Sequence, residues 1–215
     1  YRQGISLERM SAECCEYILA LCQYGTVKPA DEQRLDYCNL LRDTINYDPL
    51  QPDAEQLTDI AKTLLGESMP ELDSNADDTA TLLDLLLSHV VIPSLDPNVL
   101  SVISAYPADQ AQLARTNPDD PRLAERFEIF FQGMELANGY RELVDRQEQE
   151  QRFEADQRRR ALTNRAHIQG DPALLAALTN GLPDCCGVAV GLDRVLMCCT
   201  GSTHIGETLS FMPGR

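Results

Sequence analysis

An α+β fold, with an antiparallel sheet flanked by helices, is what this chain of 215 residues predicts. Apolar residues first recur at helical spacing, from Leu7 to Val90. From Val99 onward the period changes to two, in VLSVISAY and again in RFEIFF. A late run, GVAVGL, sets small residues on one strand face and valines on the other. Helices first, then strands mixed with helices, is the order of an α+β domain and not of a repeating βαβ unit.

Each element has its own signal. Ile5, Leu7, Met10, Cys14, Ile18 and Leu21 place a helix over 6–24, stopped by Gly25. Leu35, Cys38, Leu40, Leu41 and Ile45 predict a second helix from Asp31 to Asn46. Asp53 suits an N-cap for a helix that ends at Leu65, before Gly66. The polar stretch 67–76 reads as a loop. Asp77 opens a helix carried by Leu82, Leu83, Leu85, Leu86 and Val90 and stopped near Pro93. VLSVISAY is a strand ending at Pro107. In RFEIFF, Phe127, Ile129 and Phe131 share a face, Gln132-Gly133 suits a tight turn, and MELANGYREL returns. A charged helix runs from Asp145 to near Arg165. Its i,i+4 pairs, Glu148–Arg152 and Glu154–Arg158, favour a solvated face over a nucleic-acid face. Asp171-Pro172 starts a helix stopped by Gly181. The strand CGVAVGL and a helix over Asp193–Cys199 finish the chain. Residues 1–98 are thus expected to be mainly helical and residues 99–215 to hold the sheet.

Composition narrows the function. Hydrophobic residues at 43% with 24% charged mark a globular chain and not a disordered one. No apolar run reaches a membrane span; Leu82–Leu87 is broken by Asp84. The opening YRQGISLERM lacks an initiator Met and any basic-then-apolar leader pattern, so a fragment or processed cytoplasmic chain is expected. The net charge of −16 opposes nonspecific binding to nucleic acid or anionic membrane. Of the basic residues only Lys28 and Lys62 are lysines, a matter of composition. Six of the eight cysteines are adjacent pairs, Cys14-Cys15, Cys185-Cys186 and Cys198-Cys199. Neighbours in sequence rarely meet disulfide geometry, and no CxxC or Cys/His zinc spacing occurs, so free thiols are expected.

Three groups of residues carry candidate chemistry. Glu128 and Glu135 sit in apolar strand-like runs. A two-residue turn at Gln132-Gly133 would set 128 against 137 and 130 against 135, all four on one face. Two carboxylates on one face repel unless a cation lies near them, and Mg²⁺ suits a few carboxylates with phosphate oxygens; a solvated hairpin face is the alternative. Asn138, Tyr140 and Glu142 supply an amide, an amphipathic ring and a carboxylate, a set able to enclose an ammonium-bearing side chain. In an unbroken strand they would face away from Glu135, unless a bulge at Gly139 re-aims them; an ordinary edge strand is the alternative. Gly187, Ala189 and Gly191 share a strand face that a planar ligand could approach, with Val188 and Val190 toward the core. Arg194 could then pair with a phosphate or stack on a base, although tight packing explains the small residues equally well. There is no Rossmann GxGxxG, Walker loop, GxSxG or HExxH, and no histidine is placed to activate a thiol.

Together RFEIFFQGMELANGYREL and PDCCGVAVGLDR resemble the C-terminal part of the class II lysyl-tRNA synthetase catalytic domain. Within that family they are most similar to the branch that modifies elongation factor P. The resemblance is sharp over 105–211 and looser over 1–104. YPADQAQLA and the EQEQRFEADQRRRA helix favour the same branch, as does Ala189, where synthetases more often have Gly. The resemblance implies ATP and Mg²⁺ as cofactors, with Glu128 and Glu135 as the metal and ATP carboxylates. Asn138, Tyr140 and Glu142 match the lysine pocket, Glu142 meeting the side-chain ammonium. Gly187, Ala189, Gly191 and Arg194 match motif 3, where the Arg holds ATP and is the catalytic candidate. The implied reaction is attack of a lysine or (R)-β-lysine carboxylate on the α-phosphate, then transfer to an acceptor amine. Elongation factor P is the implied partner, tRNA a less favoured one, and a homodimer is possible in the complete protein. Tyr1-Arg2 matches the tail of motif 2. Motif 1, the motif 2 loop and its Arg would lie upstream, leaving the N-terminal part of the domain missing and about half a site in these residues. A lysyl-tRNA synthetase fragment and a synthetase-like binding module are the alternatives.

Overall fold

A computed structural model describes residues 1–68, 79–162 and 166–211. In chain order the elements are β1 (Arg2–Gln3), α1 (Leu7–Cys22), β2 (Asp31–Asp36), α2 (Tyr37–Ile45), α3 (Ala54–Leu65), α4 (Thr79–Leu86), β3 (Val99–Ser104), β4 (Arg126–Phe131), β5 (Met134–Arg141), α5 (Arg146–Leu162), α6 (Pro172–Asn180), β6 (Cys185–Val190) and α7 (Leu192–Thr200). The strands form one sheet in the order β1-β6-β5-β4-β3-β2.

The caps form as their residue types dictate. Ser6, Asp36, Asp53 and Asp171 each accept a backbone N–H of the first turn of α1, α2, α3 and α6. After α4 the chain widens into a π-turn over Leu87–Val91 and a 3₁₀ turn over Ile92–Ser94. Along α5, Arg152 pairs with Glu148 at 2.5 Å and Arg158 with Glu154 at 3.9 Å. The expected helix start at Asp77, most of the expected loop 67–76 and the end of the charged helix at 163–165 lie outside the described residues.

Two expectations need correction. Residues Asp31–Asp36 are not helical; they form β2, and the helix starts only at Tyr37. The Asp36 carboxylate accepts the Asn39 N–H at 2.8 Å, which starts the helix there and ends the strand. The sheet is also not wholly antiparallel. β2 runs parallel to β3, while every other pair is antiparallel. The chain crosses over between these two strands through α2, α3 and α4, as a parallel pair requires. β2 is an edge strand, and its charged side chains suit an edge that other chains must not extend.

Helices cover both sheet faces, making three layers. One face presents Val102, Phe127, Ile129, Phe131 and Ala137, which pack with α1 and α7 through Met10, Cys14, Ile18, Val195 and Cys198. Val188 and Val190 pack against the same core, as expected from their alternation. The other face presents Ile103 and Phe130 to α2, α3 and α4, through Tyr37, Leu41, Leu57 and Leu86. α1 and β2 show that the first half of the chain contributes directly to both core and sheet. All eight cysteines are free and buried. No helix among the described residues is long and apolar enough to cross a membrane.

Candidate active site

The hairpin of β4 and β5 builds the site. Gln132 and Gly133 both have positive φ, 52° and 74°, as a two-residue turn matching strand twist requires. Phe131 pairs with Met134 and Phe130 with Glu135, and the register then shifts by one residue. Beyond the shift Ile129 pairs with Ala137 and Glu128 with Asn138, so 128 does not oppose 137. The extra residue is Leu136, which is buried in the α1–α7 core. Strand parity therefore changes at Leu136. Glu128, Phe130, Glu135, Asn138 and Tyr140 share one sheet face, and Ala137 lies on the other. The bulge expected at Gly139 is thus three residues early. Gly139 instead leaves room for packing, since a Cβ there would lie 2.4 Å from the Phe127 ring.

Glu128 sits at the centre of this face and is only 6% exposed. Its Oε2 accepts the Tyr106 hydroxyl at 2.6 Å. Its Oε1 accepts from the Asn138 amide at 3.0 Å and from a nitrogen of the buried Arg126 guanidinium. Burial pushes the Glu128 carboxyl above its usual range; the Arg126 charge and the Tyr106 hydrogen bond oppose the rise without cancelling it, and Glu135 adds to it. Arg126 stacks over the Tyr106 ring at 4.4 Å and faces the Tyr140 ring at 6.0 Å. Sequence reasoning missed both Arg126 and Tyr106. The signal for Arg126 was available, because it lies two residues before Glu128 on an alternating strand.

β6 lies beside β5, with Asn138 opposite Ala189 and Tyr140 opposite Gly187. The small residues of β6 therefore lie on the face that carries Glu128. Ala189 is exposed there. A Cβ on Gly187 would lie 2.2 Å from the Glu142 carboxylate, so the missing side chain is what lets Glu142 settle over the strand. Gly191 tolerates a Cβ, its closest contact being Arg194 at 3.4 Å. Arg194, in the first turn of α7, donates to the Glu135 carbonyl at 2.8 Å. Glu135, Arg194, Phe130, Gly133, Met134 and Met197 line a cavity of about 460 Å³.

Through the shift at Leu136, Asn138 and Tyr140 lie on one sheet face, and the Glu142 carboxylate reaches that face over Gly187. The Tyr140 hydroxyl donates to the Gln112 side chain at 2.5 Å. Burial raises the Glu142 carboxyl above its usual range.

A magnesium–nucleotide fits this face unevenly. Glu135 is partly exposed beside Arg194, at the cavity, and offers hard oxygens. Glu128 has most of its lone pairs engaged by Arg126, Asn138 and Tyr106, so it joins a metal only by leaving Arg126. Among the described residues no group of three or more His, Cys, Asp or Glu forms a metal cluster.

Comparison with known proteins agrees with this architecture. Residues 9–213 match the tRNA synthetases of class II (D, K and N). The chain belongs to that family. A protein of Klebsiella pneumoniae (strain 342) named elongation factor P–(R)-β-lysine ligase is 42% identical over 188 residues, 87% of this chain and 56% of the relative. Proteins of the same name from Salmonella dublin and Salmonella gallinarum are 39% identical over all 215 residues, 64% of their own length. The chain thus spans less than two thirds of the length of these curated relatives.

Proposed function

We propose that the complete protein activates lysine or (R)-β-lysine with ATP and transfers it to a lysine of elongation factor P. One observation carries the amino-acid half of this reading. The register shift at Leu136 gathers an amide, an aromatic ring and the carboxylates of Glu128, Glu135 and Glu142 on the face where Ala189 is exposed. The names of the relatives support the acceptor.

In this reading the Glu142 carboxylate holds the side-chain ammonium over Gly187, and Asn138 orients the reacting end of the amino acid. Arg194 binds and offsets nucleotide phosphate charge at the mouth of the Glu135 cavity. Glu135 would be the first residue to hold magnesium, and the ion when bound would supply neutralisation of phosphate charge. The substrate carboxylate oxygen attacks the α-phosphorus and pyrophosphate leaves. The acceptor amine then attacks the carbonyl carbon, loses a proton and releases AMP. The chain's contribution is positioning and fixed charge.

The test uses the complete protein with ATP, labelled (R)-β-lysine or lysine, and either elongation factor P or lysine tRNA. Label on elongation factor P is the expected result. Efficient charging of tRNA with none on elongation factor P replaces the proposal with a synthetase, and no amino-acid activation at all replaces it with a binding module.

A further inference from the structure

Arg126 has no role in the chemistry above, yet it is among the most buried charges in the described structure, its side chain 6% exposed beside Glu128 at 7%. A buried arginine is costly unless its charge is paired and further hydrogen bonds hold it. Its three kinds of nitrogen reach three different segments. One terminal nitrogen donates to Glu128, the other to the Gln110 carbonyl at 2.7 Å, and Nε faces the Asn138 amide oxygen at 3.4 Å. Asn138 is then held from both ends, since its amide nitrogen donates to the same Glu128 oxygen at 3.0 Å. A flipped amide would set its oxygen against the carboxylate and its N–H₂ against the guanidinium. The frame extends outward. The Gln110 amide donates to the Tyr37 hydroxyl at 3.2 Å, and the Tyr37 and Tyr106 rings pack 4.5 Å apart.

We propose that Arg126 is a positioning residue for the amino-acid pocket: it fixes the Asn138 amide through Glu128 and ties that orientation to Tyr37 of α2 through Gln110. This rests on the reading of Asn138 as an amino-acid contact. A lysine at 126 keeps the charge but cannot serve three directions from one planar fork or stack as well on Tyr106.

The experiment compares the complete wild-type protein with Arg126→Lys, Arg126→Met and the charge-matched pair Arg126→Met/Glu128→Gln, by calorimetric titration with (R)-β-lysine or lysine and by thermal melting. ATP is titrated separately into wild type and Arg126→Lys. Arg126→Lys is expected to weaken amino-acid binding about tenfold or more, as a displaced polar contact does, and ATP binding less than about threefold. The double variant is expected to melt above Arg126→Met alone, because no buried charge is left unpaired, yet still to bind the amino acid poorly. Wild-type amino-acid affinity in a well-folded double variant, or in Arg126→Lys, overturns the proposal and leaves Arg126 a structural ion. A wild-type protein that binds ATP but neither amino acid overturns instead the functional reading, and the pocket with it.

Discussion

Arg194 donates to the backbone carbonyl of Glu135 across 2.8 Å, and the same guanidinium nitrogen lies 3.5 Å from that residue's carboxylate. The contact joins the first turn of α7 to the end of the β4–β5 hairpin, so the cationic and anionic sides of the cavity are set by one bond.

Glu135→Gln in the complete enzyme is therefore expected to hurt magnesium–ATP use more than amino-acid binding. Because the carboxylate acts only through the ion it would hold, the loss should be at least the roughly 10–100-fold that even an outer partner of a metal site is worth. Pyrophosphate exchange at saturating amino acid measures the first effect. Titration with lysine alone measures the second, which should change by less than about threefold.

Binding of the cationic amino acid is expected to fail on mild acidification. Burial raises the Glu142 carboxyl, so it takes up a proton at a higher pH than an ordinary glutamate and its attraction for an ammonium is lost as pH falls through that raised value. The stability term has the opposite sign. A carboxyl raised in the folded state binds protons more readily there than in the unfolded chain, so Glu142 does not promote unfolding in that window. Titrations from neutral to acidic pH with melting curves at each point separate the two. Glu142→Gln should lower affinity about 10–100-fold and remove this acid limb.

Three glycine replacements should give three different results. Gly139→Ala drives a methyl into the Phe127 ring and is expected to cost about 1–3 kcal/mol in urea denaturation. Gly187→Ala meets the Glu142 carboxylate at 2.2 Å, a side-chain end that can move, so it should spare most of the stability and weaken amino-acid binding. Gly191→Ala meets only Arg194 at ordinary contact distance and should be nearly neutral in both assays.

The cysteines are expected to be slow toward thiol reagents in the native protein. Burial pushes Cys14 and Cys198 up to about 11, and Cys15, Cys22 and Cys38 up to about 12, which leaves little thiolate at neutral pH. Titration with an aromatic disulfide reagent before and after denaturation should show all eight cysteines only in the second case. Fast reaction of several in the native state would contradict the packing of α1 against α7.

The parts of this fold governed by neighbours were legible. The Asp53 and Asp171 caps, the Gln132-Gly133 turn, the Phe127–Ile129–Phe131 face and the i,i+4 pairs of α5 all depend on residues a few positions apart. β2 was not, because Leu35 continues the apolar spacing of α2 and nothing local reports that Asp31–Asp36 will pair with β3, far along the chain. The shift at Leu136 was also hidden, since MELANG reads equally well as an unbroken strand. The identities of Glu128, Glu135, Asn138, Tyr140, Glu142 and Arg194 stood out, but their assembly did not. Arg126 was overlooked although strand alternation places it on the face of Glu128, and Tyr106 escaped because it lies beyond the end of β3, where nothing local ties it to Glu128.

The shift at Leu136 makes this hairpin tolerant of one kind of change and intolerant of another. Replacing Leu136 by a similar apolar residue trades one core contact for another. Removing it leaves Phe130 opposite Glu135 and Ile129 opposite Ala137 as consecutive pairs, so the faces are kept at the cost of one core side chain; pairing Leu136 into the ladder at unchanged length instead sends Asn138 and Tyr140 into the layer of α1 and turns Ala137 outward. The Leu136 carbonyl also accepts the Gly191 N–H at 2.9 Å, just ahead of Arg194, so losing the bulge would disturb the arginine as well. For anyone redesigning the pocket, the residue left out of the ladder matters more than the side chain it carries.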